Sequence, residues 1–301
     1  MSAKIKSIKR FNQSYKNFTF SGTEGAAKEE FMDTAVQMDE QGNVVEEVKY
    51  GPGEIVEEKN SYSFDKEGRL LSHTLFYALD NVSEKRVLTR NDKGLLVQET
   101  KYYGEDVGES TKYEYNEKDN VTIIERFDEE GDFAGREEMT YDEKGSLAER
   151  KSFDADRKLQ GRVAFTPPTE DQVEETEYDA NGKAISKTII RFNDKGKELS
   201  TVQTNPEGKL ISSIKNVYDE HGNIVEKIYK DFYSKVFKYT YDENNRLVVQ
   251  ELFDDSGLLL RKNLFEYDDR GNVVAEQTYE MDTTRGGRDK HFGVRYEYEF
   301  Y

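Results

Sequence analysis

The chain has 301 residues and a formal net charge of −18, with no cysteine and no tryptophan. The missing cysteine excludes disulfides and thiolate metal sites, and the acid excess argues against nucleic acid as a partner for the body of the protein. No apolar run approaches the roughly eighteen residues that a membrane helix needs, while 20 Tyr and 17 Phe argue against disorder.

Residues 1–36 precede the repeats and are expected to form an N-terminal cap. Residues 1–22 carry Lys4, Lys6, Lys9, Arg10 and Lys16 and no acid. This basic strip is a candidate docking element, either on the acidic body of a neighbour or on the far end of the same chain. Lysines with no apolar stretch after them do not make a signal peptide. The sequence as written therefore reads as cytoplasmic, and a removed leader would make it secreted or periplasmic. The segment 23–34, TEGAAKEEFMDT, reads as a short helix or an irregular cap.

From 37 to 281 one pattern recurs: an aromatic, then Asp or Asn, two polar residues, Gly, one more residue and an aliphatic. It reads YDEKGSL at 141–147, YDANGKA at 178–184, YDEHGNI at 218–224, YDENNRL at 241–247 and YDDRGNV at 267–273. Looser copies begin at Phe64, Phe127, Phe153, Phe192 and Phe253. Asp or Asn opening a type I turn accepts backbone N–H groups ahead of it, and Gly supplies the left-handed residue that follows. Each copy is thus a hairpin loop with a bulge. In such a loop Tyr141 faces Leu147, Tyr218 faces Ile224 and Phe253 faces Leu259. Asn120 and Asn245 stand where most copies have Gly, and Arg157 lies in a copy without it.

With weaker breakers included, a turn comes about every 11–15 residues. One turn between neighbouring strands predicts an all-β chain, a long antiparallel up-and-down hairpin meander of about twenty strands. So many strands do not stay flat, which predicts a sheet curled or wound into an open shell or solenoid. Pro167-Pro168 marks a bend or a broken ladder at 165–171, since Pro cannot donate to a sheet. Residues 282–301 are expected to form a loop and a closing strand, VRYEYEFY at 294–301.

Phe64, Phe127, Tyr141, Phe153, Tyr178, Phe192, Tyr218, Tyr241, Phe253 and Tyr267 are expected to form a structural ladder, mostly buried on one face. Their regular place beside the turns makes them core before they are a sugar-stacking platform. His73, His221 and His291 have no second His or Cys at ligand spacing and read as solvated or packed. Paired acids at the loops fall short of the six to eight oxygens of a calcium site, and no metal or cofactor is expected. No GxSxG, no phosphate-binding glycine loop and no dinucleotide fingerprint is present. No catalytic residue is assigned, and the chain is expected not to be an enzyme.

The Y-D-x-x-G-N/R/K-aliphatic motif, recurring over about 38–280, resembles the YD-repeat, or Rhs-repeat, family. The resemblance implies hairpin strips wound into a shell. In large toxins of that family the shell encloses an effector. This chain lacks the terminal Asp-Pro-x-Gly element and any segment large enough to be a toxin, so that activity is not implied. The expected function is a non-enzymatic repeat scaffold or protein-binding module, with a bacterial immunity or toxin-associated factor as a special case. The alternative is a carbohydrate-binding surface or periplasmic protein.

Overall fold

The computed structural model describes residues 4–15, 28–169, 171–282 and 289–301. Every regular element among them is a β-strand. In chain order these are β1 (Ile5–Tyr15), β2 (Lys28–Met38), β3 (Val44–Gly51), β4 (Ile55–Phe64), β5 (Leu70–Tyr77), β6 (Val82–Arg90), β7 (Leu96–Tyr103), β8 (Asp106–Tyr115), β9 (Val121–Phe127), β10 (Phe133–Tyr141) and β11 (Leu147–Phe153). There follow β12 (Leu159–Thr166), β13 (Gln172–Asp179), β14 (Ala184–Phe192), β15 (Glu198–Thr204), β16 (Leu210–Tyr218), β17 (Ile224–Lys230), β18 (Ser234–Tyr241), β19 (Leu247–Phe253), β20 (Leu259–Tyr267), β21 (Val273–Glu280) and β22 (Lys290–Phe300).

All 22 strands belong to one sheet. The chain forms two compact units, one holding the residues up to Tyr62 with Leu75–Asn81 and Asn216–Tyr301, the other Ser63–Thr74 and Val82–Lys215. In the second unit β6 to β16 pair antiparallel, each with the next in sequence. In the first unit β17 to β22 do the same, and so do β1 to β4. These two runs are joined by a pairing between the last strand and the first: β22 lies antiparallel to β1, from Ile5 opposite Phe300 to Ser14 opposite Phe292. The expected open shell or solenoid is therefore corrected. The terminal strands are each other's neighbours, which gives the meander the closed topology of a β-barrel. An open meander would leave two rows of backbone donors and acceptors without partners, and closure is the one arrangement that removes both edges.

The turns are built as their residues dictate. At 142–146 the Gly145 N–H donates to the Asp142 carbonyl at 3.0 Å, and the Asp142 N–H donates to the Ser146 carbonyl at 2.9 Å. The Asp142 side chain accepts the Ser146 N–H at 2.8 Å. Gly145 sits at φ +88°, where a side chain would be strained. The register slips by one residue beside this turn, so Thr140 faces Glu149 while Tyr141 faces Leu147. Phe253 faces Leu259 in the same way. Asn245 and Arg157 occupy the left-handed position in their turns, but at 116–120 that position belongs to Asp119 rather than Asn120.

One local expectation is corrected. Residues 28–34 are not helical: they lie in β2, which pairs on one side with β1 and on the other with β3. Residues 23–27 lie outside the described residues. Residues 28–32 pair with β1 alone and Thr34 also pairs with β3, and this ladder outweighs the modest helix propensity of the segment. Next to the expected kink at 165–171, β12 and β13 pair without a shift from Gly161 opposite Asp179 to Thr166 opposite Glu174, where the ladder ends. Pro167 and Pro168 lie in the connection beyond it, where no ladder amide is needed.

The aromatic ladder is also corrected. All ten of its residues are half-buried and none is fully buried. Nor do they share a face. Arg136 pairs with Phe153, and Tyr141 stands five residues further along β10, an odd step that turns it to the opposite face. The same step separates Val236, the partner of Phe253, from Tyr241. The motif closes turns at both ends of the strands, and the one-residue bulge at each turn changes the parity.

Candidate functional site

The most enclosed side chains are polar. Gln13, Ser186 and His291 are 4–5 % exposed, against 8–9 % for the buried hydrophobics Val48 and Val294. Two of the three sit where β22 closes on β1. His291 is stacked between Tyr15 and Tyr279, with ring centroids 4.0 and 4.3 Å away and planes within about 10°. Three adjacent strands, β1, β22 and β21, thus supply three parallel rings on one rung.

A hydrogen-bonded network extends from this stack. His291 Nε2 lies 2.7 Å from Gln277 Oε1. Gln277 donates to the Tyr15 hydroxyl at 3.3 Å, and that hydroxyl donates to Gln13 Oε1 at 3.2 Å. Gln13 donates to Glu30 at 2.5 Å. Arg295 completes the chain on Glu30 at 2.9 Å and on Glu297 at 2.6 Å, its guanidinium over the Phe11 ring. Gly293 pairs with both Gln13 and Gln277. A Cβ there would press on the Glu276 carbonyl at 3.0 Å and on Gln13 Oε1 at 3.3 Å, so glycine makes room for the two amides. Burial holds the His291 pKa below its ordinary value, and the neutral ring is the form this setting favours.

The basic strip is largely spent on the same closure. Lys6 pairs with Glu299 at 2.8 Å across β1 and β22, and Arg10 pairs with Asp33 at 2.6 Å across β1 and β2. Lys4 donates to the Glu40 carbonyl at 2.6 Å. Lys9 contributes to holding the Glu299 pKa low. Lys16 lies outside the described residues.

Five tyrosines share one duty. Tyr115, Tyr141, Tyr241, Tyr267 and Tyr298 each donate a hydroxyl at 2.7–3.0 Å to the carbonyl of the first residue of an earlier strand: Leu96, Val121, Ile224, Leu247 and Val273. Burial raises the pKa of all five. Among the phenylalanines of the ladder, Phe127 and Phe253 carry Lys112 and Lys238 over their rings at 4.7 and 5.1 Å, and Tyr178 carries Arg162 at 3.8 Å.

The two ends of the strands in the first unit differ in chemistry. At one end lie the turns 39–43, 219–223, 242–246 and 268–272. The first acid of each is consumed by the turn: Asn43 holds the Asp39 pKa low, Arg246 that of Asp242 and Asn272 that of Asp268. The second acid of each, Glu40, Glu220, Glu243 and Asp269, is exposed. At the other end the turn tips are apolar: Leu79, Phe232, Tyr233 and Leu258 are 80, 97, 73 and 50 % exposed.

The second unit holds a cleft of about 310 Å³ over β10–β14, where Gly161 leaves a hollow beside Ser152, Arg150, Glu137 and Glu177. Among the described residues no group of three or more His, Asp or Glu is arranged to hold a metal ion. His221 is exposed in its turn, 3.7 Å from Glu220. The closure network was not legible in the sequence, because its members are drawn from both ends of the chain. Its one local signal was Gly293, a glycine inside an otherwise uninterrupted strand.

A family model described as "Uncharacterised protein" matches residues 61–188. No curated protein matches the chain. Among solved structures the chain is similar to a porin-like protein from Bacteroides uniformis ATCC 8492, with 14% identity, 98% of each chain covered and a TM-score of 0.31.

Proposed function

We propose that this chain is a non-enzymatic scaffold that binds a basic protein through the acidic end of its first unit. The observation that carries this reading is the division of labour in four turns on consecutive hairpins. Their first acids cap the turn, which leaves Glu40, Glu220, Glu243 and Asp269 exposed. Arg246 and Arg270 share this end, but Arg246 is held by Asp242 and Arg270 lies over the Phe300 ring, and exposed acids of this kind raise association rates with an oppositely charged partner. The Y-D-x-x-G motif supports kinship with YD-repeat scaffolds, and an immunity factor for a basic toxin is the special case that this chemistry suits.

Ion pairs on both faces favour a water-bathed scaffold over a membrane pore. Arg261 pairs with Glu280 at 2.5 Å, while the adjacent Lys262, on the opposite face, pairs with Glu251 at 3.3 Å. In the second unit Arg126 pairs with Glu137 at 2.6 Å, and Glu125, on the opposite face, pairs with Arg136 at 3.2 Å. A charge on the lipid face of a membrane barrel costs about 2–4 kcal/mol near mid-membrane.

The carbohydrate alternative is favoured by the polar cleft at Gly161, whose Ser152, Arg150 and paired glutamates suit hydroxyl groups. A pull-down from the native host at low and high salt separates the two. The scaffold reading predicts a basic protein that is lost at high salt and lost again with a Glu40→Lys, Glu220→Lys, Glu243→Lys variant. Capture that ignores both changes, or retention of glycans alone, overturns it.

A further inference from the structure

We infer that the apolar end of the first unit is a self-complementary surface through which two copies of this chain associate. The patch spans two adjacent turns. The β17–β18 turn presents Phe232 and Tyr233, 97 and 73 % exposed. The β19–β20 turn presents Leu258, 50 % exposed. Val236 pairs with Phe253, so Lys235 and Asp254 flank the same point of the ladder and the two tips are neighbours. Large aromatic tips with no packing partner in their own chain mark an interaction surface when they are grouped and rimmed by charge.

The charges of the two turns say which partner fits. In the first, exposed Asp231 accepts the Tyr233 N–H at 2.9 Å and lies in the field of Lys235, and with exposed Lys230 the tip is net positive. In the second, Asp254 is bound by Ser256 and Leu258, which leaves exposed Asp255. One tip is aromatic and basic, the other aliphatic and acidic. A two-fold axis between them sets Phe232 of one copy over Leu258 of the other, and Lys235 against Asp255, twice over. That is the reciprocal pattern of an isologous interface. The same axis keeps the acid-tipped ends of the two copies apart. Three apolar side chains per copy bury well below the roughly 800 Å² per partner of a stable complex, so the dimer is weak and concentration-dependent. This inference is independent of the acidic-end reading, which concerns the opposite end of the strands.

The test is sedimentation velocity of the full chain from micromolar to millimolar concentration. The wild type is expected to shift toward dimer as concentration rises, and Phe232→Ser with Leu258→Ser to stay monomeric. Lys235→Glu and Asp255→Lys are each expected to weaken association at least several-fold, and the double variant to restore it. All of these positions are exposed, so circular dichroism of each variant is expected to match the wild type. A wild type that stays monomeric throughout, an association untouched by the tip variants, or a double swap that fails to restore it overturns the proposal. So does binding of the tips to neutral phosphatidylcholine vesicles in place of self-association.

Discussion

At the scale of single residues, the chemistry of the motif is spent on structure. Tyr141, Tyr241 and Tyr267, each before the aspartate of its turn, pack half-buried and send their hydroxyls to a carbonyl of an earlier strand. Tyr267→Phe removes that bond, at 2.8 Å to Leu247, and leaves the ring in place. A net loss of about 1 kcal/mol is expected, as a lower urea midpoint with an unchanged slope. His291 gives a second measurable. Burial depresses its pKa, so the unfolded chain takes up a proton at a higher pH than the folded one. The stability held by the neutral ring is complete above about pH 6.5, the ordinary histidine value, and declines as pH falls through it. The turn carboxylates Asp39, Asp242 and Asp268 are also depressed, but their contribution is lost only further down, as pH falls below about 4. Urea midpoints compared at about pH 7.5 and about pH 5.5 therefore isolate the histidine. The drop is expected to shrink in His291→Gln, and an equal drop in that variant would place the pH dependence elsewhere.

At the scale of the hairpin, the sequence was most informative. The spacing of Asp and Gly fixes a turn of one kind, and that turn fixes a cross-strand pair, which is why Tyr141 opposite Leu147 and Phe253 opposite Leu259 follow from local residues alone. Gly145, at φ +88° with open space where a Cβ would stand, is required for its conformation rather than for room. Gly145→Ala is expected to cost about 1 kcal/mol, measured by thermal or urea unfolding. A neutral result would mean that the turn relaxes to another type. What the hairpin grammar hid was the parity of its bulges. Counting one extra residue per turn sends successive aromatics to opposite faces, and a reading that ignores the bulge places them on one. The segment 28–34 misled for a different reason: its local propensities are weak, and its pairing with β1 decides its state.

At the scale of the whole molecule, the decisive pairing is the one that local sequence cannot announce. β1 and β22 are separated by almost the full chain, and no turn residue marks their meeting. The clues were indirect: a basic start, an alternating end, and Gly293 among larger residues. The structure turns these into Lys6 on Glu299, Arg295 on Glu30, and Gln13 and Gln277 joined through the Tyr15 hydroxyl beside Gly293. Closure is also what allows so polar a chain to bury its backbone without a thick apolar core. The chain has no native cysteine, so a single engineered pair reports on this closure without ambiguity. Asn12 and Val294 stand opposite each other in the β1–β22 ladder, at the roughly 4.5–5.5 Å Cα separation of antiparallel partners, which a disulfide can span. Asn12→Cys with Val294→Cys, oxidised at low protein concentration and read by intact mass and non-reducing electrophoresis, is expected to give an intramolecular disulfide in nearly every molecule. Free thiols, or bonds only between molecules, would show that the first and last strands do not meet.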